Sequence, residues 1–182
     1  MSVFCAIDYE TCGPERYAAC SIGLVRIENG RLGKSFVHLI RPPSRRVLFT
    51  DVHGLTWRDL CNQPTYPELW PAIADFVRGC DGFVAHNASF DRSVWRSCCE
   101  TFGLPDPELP FYCTLKGSRA ALDLSSYRLN IVCSSLGIPL NHHEALSDAL
   151  GCAAIFLELG RRGLDVDRMR LNPPARKKCL CS

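Results

Sequence analysis

The 182-residue sequence has little net charge: 21 Lys and Arg oppose 19 Asp and Glu, a formal balance of +2. Overall basicity is therefore not how this chain would hold a polyanion, and it is not an acidic, solvating chain of the disordered kind. It has no apolar run approaching the roughly 20 residues of a membrane span, so no bilayer-crossing helix is expected. The opening MSVFCAIDYE has neither a basic lead nor a small-residue cleavage site. There is no internal repeat and no low-complexity segment. Cysteine is abundant, at twelve, yet no Cys-x-x-Cys pair occurs; Cys98 and Cys99 are adjacent, and Cys179 and Cys181 form a lone terminal pair. A structural zinc site thus lacks its usual spacing. Without a secretory leader the even count does not read as a disulfide framework either. Cys5, Cys20, Cys133 and Cys152 sit within apolar patterns, where a free thiol packs as a small hydrophobe. The chain is expected to be cytoplasmic and reduced.

The hydrophobic fraction is 47%, enough for one sizeable core at this length. Charge is unevenly placed. From Arg161 onward there are seven Lys or Arg against two Asp, so this segment carries +5 and the remainder −3. The expected organisation is a body over 1–163 and a basic tail over 164–182 that could touch phosphate or acidic partners.

The element pattern begins with a buried strand over Val3 to Ile7. Two strands follow, joined by a turn near Asn29-Gly30. "DVHGLTWRDL" reads as a short helix or turn, and "TYPELWPAIADFVRGC" as an amphipathic helix with Pro67 near its start and Gly79 at its end. "DGFVAHNA" is a second buried strand. "SFDRSVWRSCCETFG" is a helix with Ser89 as N-cap and Gly103 as its stop. "PFYCTLKG" reads as a strand or sheet edge, "YRLNIVCSSLGIPL" as a helix, and "EALSDALGCAAIFLELGRRG" as the last helix. Three strands followed by alternating helices and strands imply an α/β fold, a mixed sheet covered by helices.

Four carboxylates stand where burial should discourage them. Side chains two apart on a strand share a face, so Asp8 and Glu10 project together from the end of the first strand. Such a pair calls for a shared proton, an arginine or a bound cation. On the next long helix, Asp91 begins the stripe completed by Val94, Trp95, Cys98 and Phe102. On the last helix Asp148 shares its face with Ala145, Cys152, Ile155 and Leu159, while Glu144, Ser147, Gly151 and Glu158 share a face assigned to solvent. No Lys or Arg lies one turn from Asp148. Four inward carboxylates without partners suit hard divalent cations with oxygen ligands. With a histidine as base, this is the composition of a two-metal phosphodiester hydrolase. His143, five residues before Asp148, belongs to the turn before the helix, and His142 competes with it.

The segments "DYET", "HNASFD" and "HHEALSDA" resemble, in order and spacing, the three motifs of the DEDDh 3′–5′ exonucleases, a group that includes polymerase III epsilon subunits, exonuclease X and ribonuclease T. "VHGLT" and "YRLNIVCSSLGI" are similar to supporting segments of epsilon-like members, and the likeness covers about residues 1 to 162. It implies a ribonuclease-H-like fold with a mixed five-stranded sheet. It implies that Asp8, Glu10, Asp91 and Asp148 hold two Mg²⁺ (or Mn²⁺) ions and that His143, not His142, is the general base. It further implies that the main chain at Thr11 and Cys12 meets the 3′-terminal nucleotide, with Asn87 supporting substrate or the site loop. Cys12 departs from the residue many members carry there, which bears on base preference. The implied partners are single-stranded DNA or RNA 3′ ends, with a nucleoside monophosphate product. A homodimer stays open. A polymerase partner is less expected because only about twenty residues follow the body. The competing readings are a catalytically silent nucleic-acid-binding module, a polymerase-bound proofreading subunit, and zinc or thiol chemistry at Cys179 and Cys181.

Overall fold

A computed structural model describes residues 2–172. The tail sequence "NPPARKKCLCS" from Pro173 onward, including the Cys179 and Cys181 pair, lies outside the described residues. Five strands form one mixed sheet: β1 (Val3–Thr11), β2 (Ala19–Glu28), β3 (Arg31–Leu39), β4 (Gly82–Ala85) and β5 (Phe111–Cys113), in the order β3-β2-β1-β4-β5. The first three pair antiparallel, while β1, β4 and β5 run parallel. Asn29 and Gly30, both at positive φ, turn the β2–β3 hairpin as their sequence suggests.

The helices are α1 (Thr50–His53), α2 (Trp57–Leu60), α3 (Tyr66–Val77), α4 (Ser89–Phe102), α5 (Thr114–Ala121), α6 (Leu129–Ser135) and α7 (Ala145–Arg161). They cover both faces of the sheet, and the strand alternation sorts the core in two. Cys5, Ile7 and Tyr9 of β1 pack with Tyr66, Trp70 and Ile73 of α3 and Val94, Trp95 and Cys98 of α4. On the opposite face Ala6, Val25 and Val84 pack with Ala149, Cys152, Ala153 and Phe156 of α7. Asp8 and Glu10 alternate with the first set and so point toward the α7 side.

Several local expectations are corrected. Ser89 is the first helical residue of α4 rather than its cap; the N-cap is Ala88, in helical geometry, following Asn87 at φ 64°. "TLKG" is not strand but the opening of α5 directly after β5. Gly151, assigned to the solvated face of α7, is buried where α7 closes on α6, against Cys133 and Leu140. A helix face is solvated only where nothing crosses it, and the crossing of α6 is not written in α7.

The body does not stop at Gly163. A 3₁₀ turn, Val166–Met169, brings Met169 to 1% exposure within the α7-side core. The Leu171 amide donates to the Phe111 carbonyl at 2.8 Å, and Tyr112 bridges Arg170, which extends the β5 edge. Residues 164–172, expected as the start of a tail, thus pack on the sheet.

Candidate active site

The parallel strands β1 and β4 end side by side, and the candidate site lies at those ends, where loops and helix starts converge. On the α7 side of β1, Asp8 stands opposite Gly23 of β2 and Glu10 opposite Ser21. A β-bulge at Glu10 and Thr11 bends the strand end outward. Gly23 has a specific use. A Cβ there would stand 2.2 Å from the Ala145 carbonyl oxygen and 2.6 Å from the Leu146 nitrogen. Its absence lets the first turn of α7 lie directly on the sheet beside Asp8, which delivers Asp148 to the same spot.

One carboxylate oxygen each from Asp8, Glu10 and Asp148 falls within 4.8 Å of the others. Asp91, 2% exposed, reaches the cluster from the start of α4, and its Oδ1 accepts the Tyr9 amide at 3.2 Å. The electrostatics follow from the crowding. Burial holds the Asp8 carboxyl well above the ordinary carboxylate range, and the charges of Asp91, Asp148 and Glu10 push it further. Burial, then Asp148, raises Glu10 to about 7. Burial raises Asp91 to about 8 despite the Tyr9 amide and the Arg16 charge, which both favour its ionised form. Asp148 is raised by burial and partly relieved by His142. No Lys or Arg forms an ion pair with any of the four among the described residues. A converging set of oxygen donors that protein cations leave unneutralised fits a hard divalent cation.

The two histidines divide differently from their spacing. The His142 ring bonds Asp148, with Nδ1 at 2.9 and 3.1 Å from the two carboxylate oxygens. His143 gives Asp148 only its amide, at 3.2 Å. Its ring stacks on His142 with centroids 3.9 Å apart, and its φ of 71° is unusual for a residue with a Cβ. Asn87 is exposed at the mouth and accepts from the Ser89 hydroxyl at 3.3 Å. Thr11 is 5% exposed at the end of β1. Cys12 turns its side chain into a small cluster with Cys20 and Leu60; its amide donates to the Ala18 carbonyl and its carbonyl accepts from Leu48.

A cleft of about 470 Å³ opens over Asp8 and Asp148, lined also by His86, Asn87, Arg119, Tyr127, Arg128 and His142. Four of these, His86, Arg119, Tyr127 and Arg128, are not among the site residues expected from the sequence. His86 is a polar residue directly after a buried strand, a signal of the same kind as Asp8. Its ring bonds the Thr114 hydroxyl and the Tyr127 carbonyl, each at 2.9 Å, and burial lowers its pKa, favouring the neutral form. Arg119, Tyr127 and Arg128 come from elements far along the chain and carry no local signal.

The fold and site together define a class: a mixed-sheet α/β protein with an oxygen-donor cluster suited to divalent cations, open to a cleft with a basic rim. A sequence model of the family described as "Exonuclease" (RNase_T) matches residues 5–156, and the chain belongs to that family. It is 34% identical over 161 residues to a DNA polymerase III PolC-type protein of Thermotoga maritima, covering 86% of this chain and 12% of that protein. It is 30% identical over 164 residues to DNA polymerase III subunit epsilon of Aquifex aeolicus, covering 86% of this chain and 79% of the relative. Among solved structures it is similar to exonuclease X in complex with 5′ overhanging duplex DNA, with a TM-score of 0.74 and 25% identity over 91% of this chain and 96% of that one. The fold is therefore the ribonuclease-H-like exonuclease fold.

Proposed function

We propose that this chain is a metal-dependent 3′–5′ exonuclease that acts on single-stranded nucleic acid, DNA in preference to RNA, and releases nucleoside 5′-monophosphates. The observation that carries this reading is the convergence of Asp8, Glu10 and Asp148, with Asp91 behind them, beneath an open cleft and with no Lys or Arg ion pair to any of the four among the described residues. These four residues would hold two Mg²⁺ or Mn²⁺ ions, which when bound neutralise phosphoryl charge and make a water nucleophilic near neutral pH. His143, exposed at the rim, accepts the proton of the attacking water at a ring nitrogen. The new P–O bond forms as the P–O3′ bond breaks, and the leaving 3′-oxygen is protonated from solvent. Arg119 and Arg128 on the cleft wall supply charge to backbone phosphates. Asn87 and the Thr11–Cys12 main chain position the terminal nucleotide; with the Cys12 amide and carbonyl already bonded internally, Thr11 carries the larger share.

Digestion of 5′-labelled single-stranded DNA and RNA oligonucleotides, with Mg²⁺, Mn²⁺ or chelator, tests the reading. A metal-dependent ladder shortening from the 3′ end, absent for Asp8→Ala, is expected. Folded protein that leaves both polymers intact with either metal would point instead to a silent nucleic-acid-binding module.

A polymerase-associated role is the second reading, because relatives 30% to 34% identical are named as polymerase III components. The chain spans only 12% of the length of the PolC-type relatives from the two Thermotoga species. Recovery of a stoichiometric polymerase with the tagged chain would support that role.

A further inference from the structure

The four carboxylates of the proposed exonuclease site are hard oxygen donors, but one of them has a second neighbourhood of different chemistry. One ligand atom each from His142, His143 and Asp148 lies within 4.8 Å of the others. Consecutive residues in extended chain point apart; here the left-handed backbone at His143, φ 71°, folds its ring back over that of His142. A residue with a Cβ held in that region is a strained conformation that calls for a reason. The His143 amide and the His142 ring both anchor on Asp148, and Asn141 fastens the turn to α7 by donating its amide to the Ser147 hydroxyl at 2.7 Å.

From this geometry we infer that His142, His143 and Asp148 form a second metal site, selective for zinc or a similar borderline-soft divalent ion over Mg²⁺, whose occupation inhibits the enzyme. Two imidazoles and one carboxylate with further positions open form a donor set that zinc accepts. Imidazole donors favour zinc strongly over the hard cations, whereas Mg²⁺ requires oxygen and keeps its waters. Ligand atoms around a tetrahedral zinc stand about 3.3 Å apart, from bond lengths near 2.0–2.1 Å. His142 Nδ1 already lies 2.9 Å from Asp148 Oδ2. The rings, 19° from parallel, need only splay for their lone pairs to converge on one ion. Both side chains are open to solvent at the rim, so the ion has an entry path. An ion held there takes the His143 ring and the Asp148 carboxylate out of use together. Paired neighbouring histidines are what this requires, and a single histidine before Asp148 would not supply it.

Only the inhibitory consequence rests on the exonuclease reading; binding is measured without it. The test is calorimetric titration of ZnCl₂ into full-length protein carrying Cys179→Ser and Cys181→Ser, in millimolar Mg²⁺. One zinc per chain is expected to bind despite the Mg²⁺. His142→Ala should weaken it by about 10- to 100-fold, the scale of losing a partner at a metal site, and Glu10→Gln should not. The ring ¹⁵N resonances of His142 and His143 should both shift on stoichiometric zinc. Binding that survives His142→Ala, or that is lost with Glu10→Gln, overturns the site and puts zinc on the carboxylates or thiols. In the oligonucleotide assay, His142→Ala should lose a smaller fraction of its own zinc-free rate than the parent does. An equal fractional loss overturns the link to inhibition.

Discussion

Asp148 is held by two histidines through different atoms, a ring nitrogen from His142 and a backbone amide from His143. Only a ring can take a proton from water, so the two residues separate on substitution. His143→Ala is expected to cut turnover by about 10²- to 10⁴-fold, the usual scale of a general base, while His142→Ala keeps most of it. Equal losses in kcat would reverse or merge the assignment. The carboxylates give a second prediction at this scale. Glu10 at about 7 and Asp91 at about 8 are raised above their unfolded values, so the folded state favours their protonated forms. The stability they contribute is fully present below the unfolded values near 4 and is lost as pH rises through 7 to 8. Metal-free protein should therefore melt at a lower temperature at pH 8 than at pH 5.5, with a smaller difference in Asp91→Asn. Mg²⁺ or Mn²⁺ should restore the melting temperature at pH 8. A melting temperature flat across that window in chelator would show that the cluster is not strained by its own charge.

At the scale of elements, the site depends on how closely α7 approaches β2. Gly23→Ala places a methyl group against the backbone of Ala145 and Leu146, which cannot swing aside as a side chain can. It should cost about 1–3 kcal/mol, the usual range for overpacking, and move Asp148 away from Asp8. The expected signature is loss of most activity and of metal-dependent stabilisation together. Gly151→Ala is the control. Its Cβ meets the ends of the Leu140 and Cys133 side chains, so stability should fall with little change in kcat. If both variants lose activity in proportion to stability, the close approach at Gly23 has no special bearing on the site. Neither glycine shows its purpose in the sequence, because the atom each makes room for lies on another element.

For the whole molecule, the boundary after Gly163 is the testable point. Met169 fills the space above Gly117 and beside Leu159, and the chain beyond it hydrogen-bonds to the β5 edge. Met169→Ala should cost about 2–5 kcal/mol, as for other buried large-to-Ala changes, measured by denaturant unfolding. A cost under about 1 kcal/mol would restore Gly163 as the end of the folded body.

The sequence by itself determined the strands and helices with strong periodicity, the mixed α/β class, and the four inward carboxylates. Asp8 and Glu10 were legible because strand alternation puts them on one face, and Asp148 because an acid on an apolar helix stripe stands out against its own neighbours. These are local rules, with periods of two and 3.6 residues, that need no knowledge of what lies opposite. Only the tertiary structure decided which histidine ring meets Asp148, why Gly23 must lack a side chain, that Gly151 is covered, that Met169 belongs to the core, and that Arg119 and Arg128 face the cleft. Each of those depends on contact between residues far apart in the chain or on one backbone torsion, the φ of 71° at His143. Sequence spacing fixes direction along an element; which element comes to rest against it is set by packing.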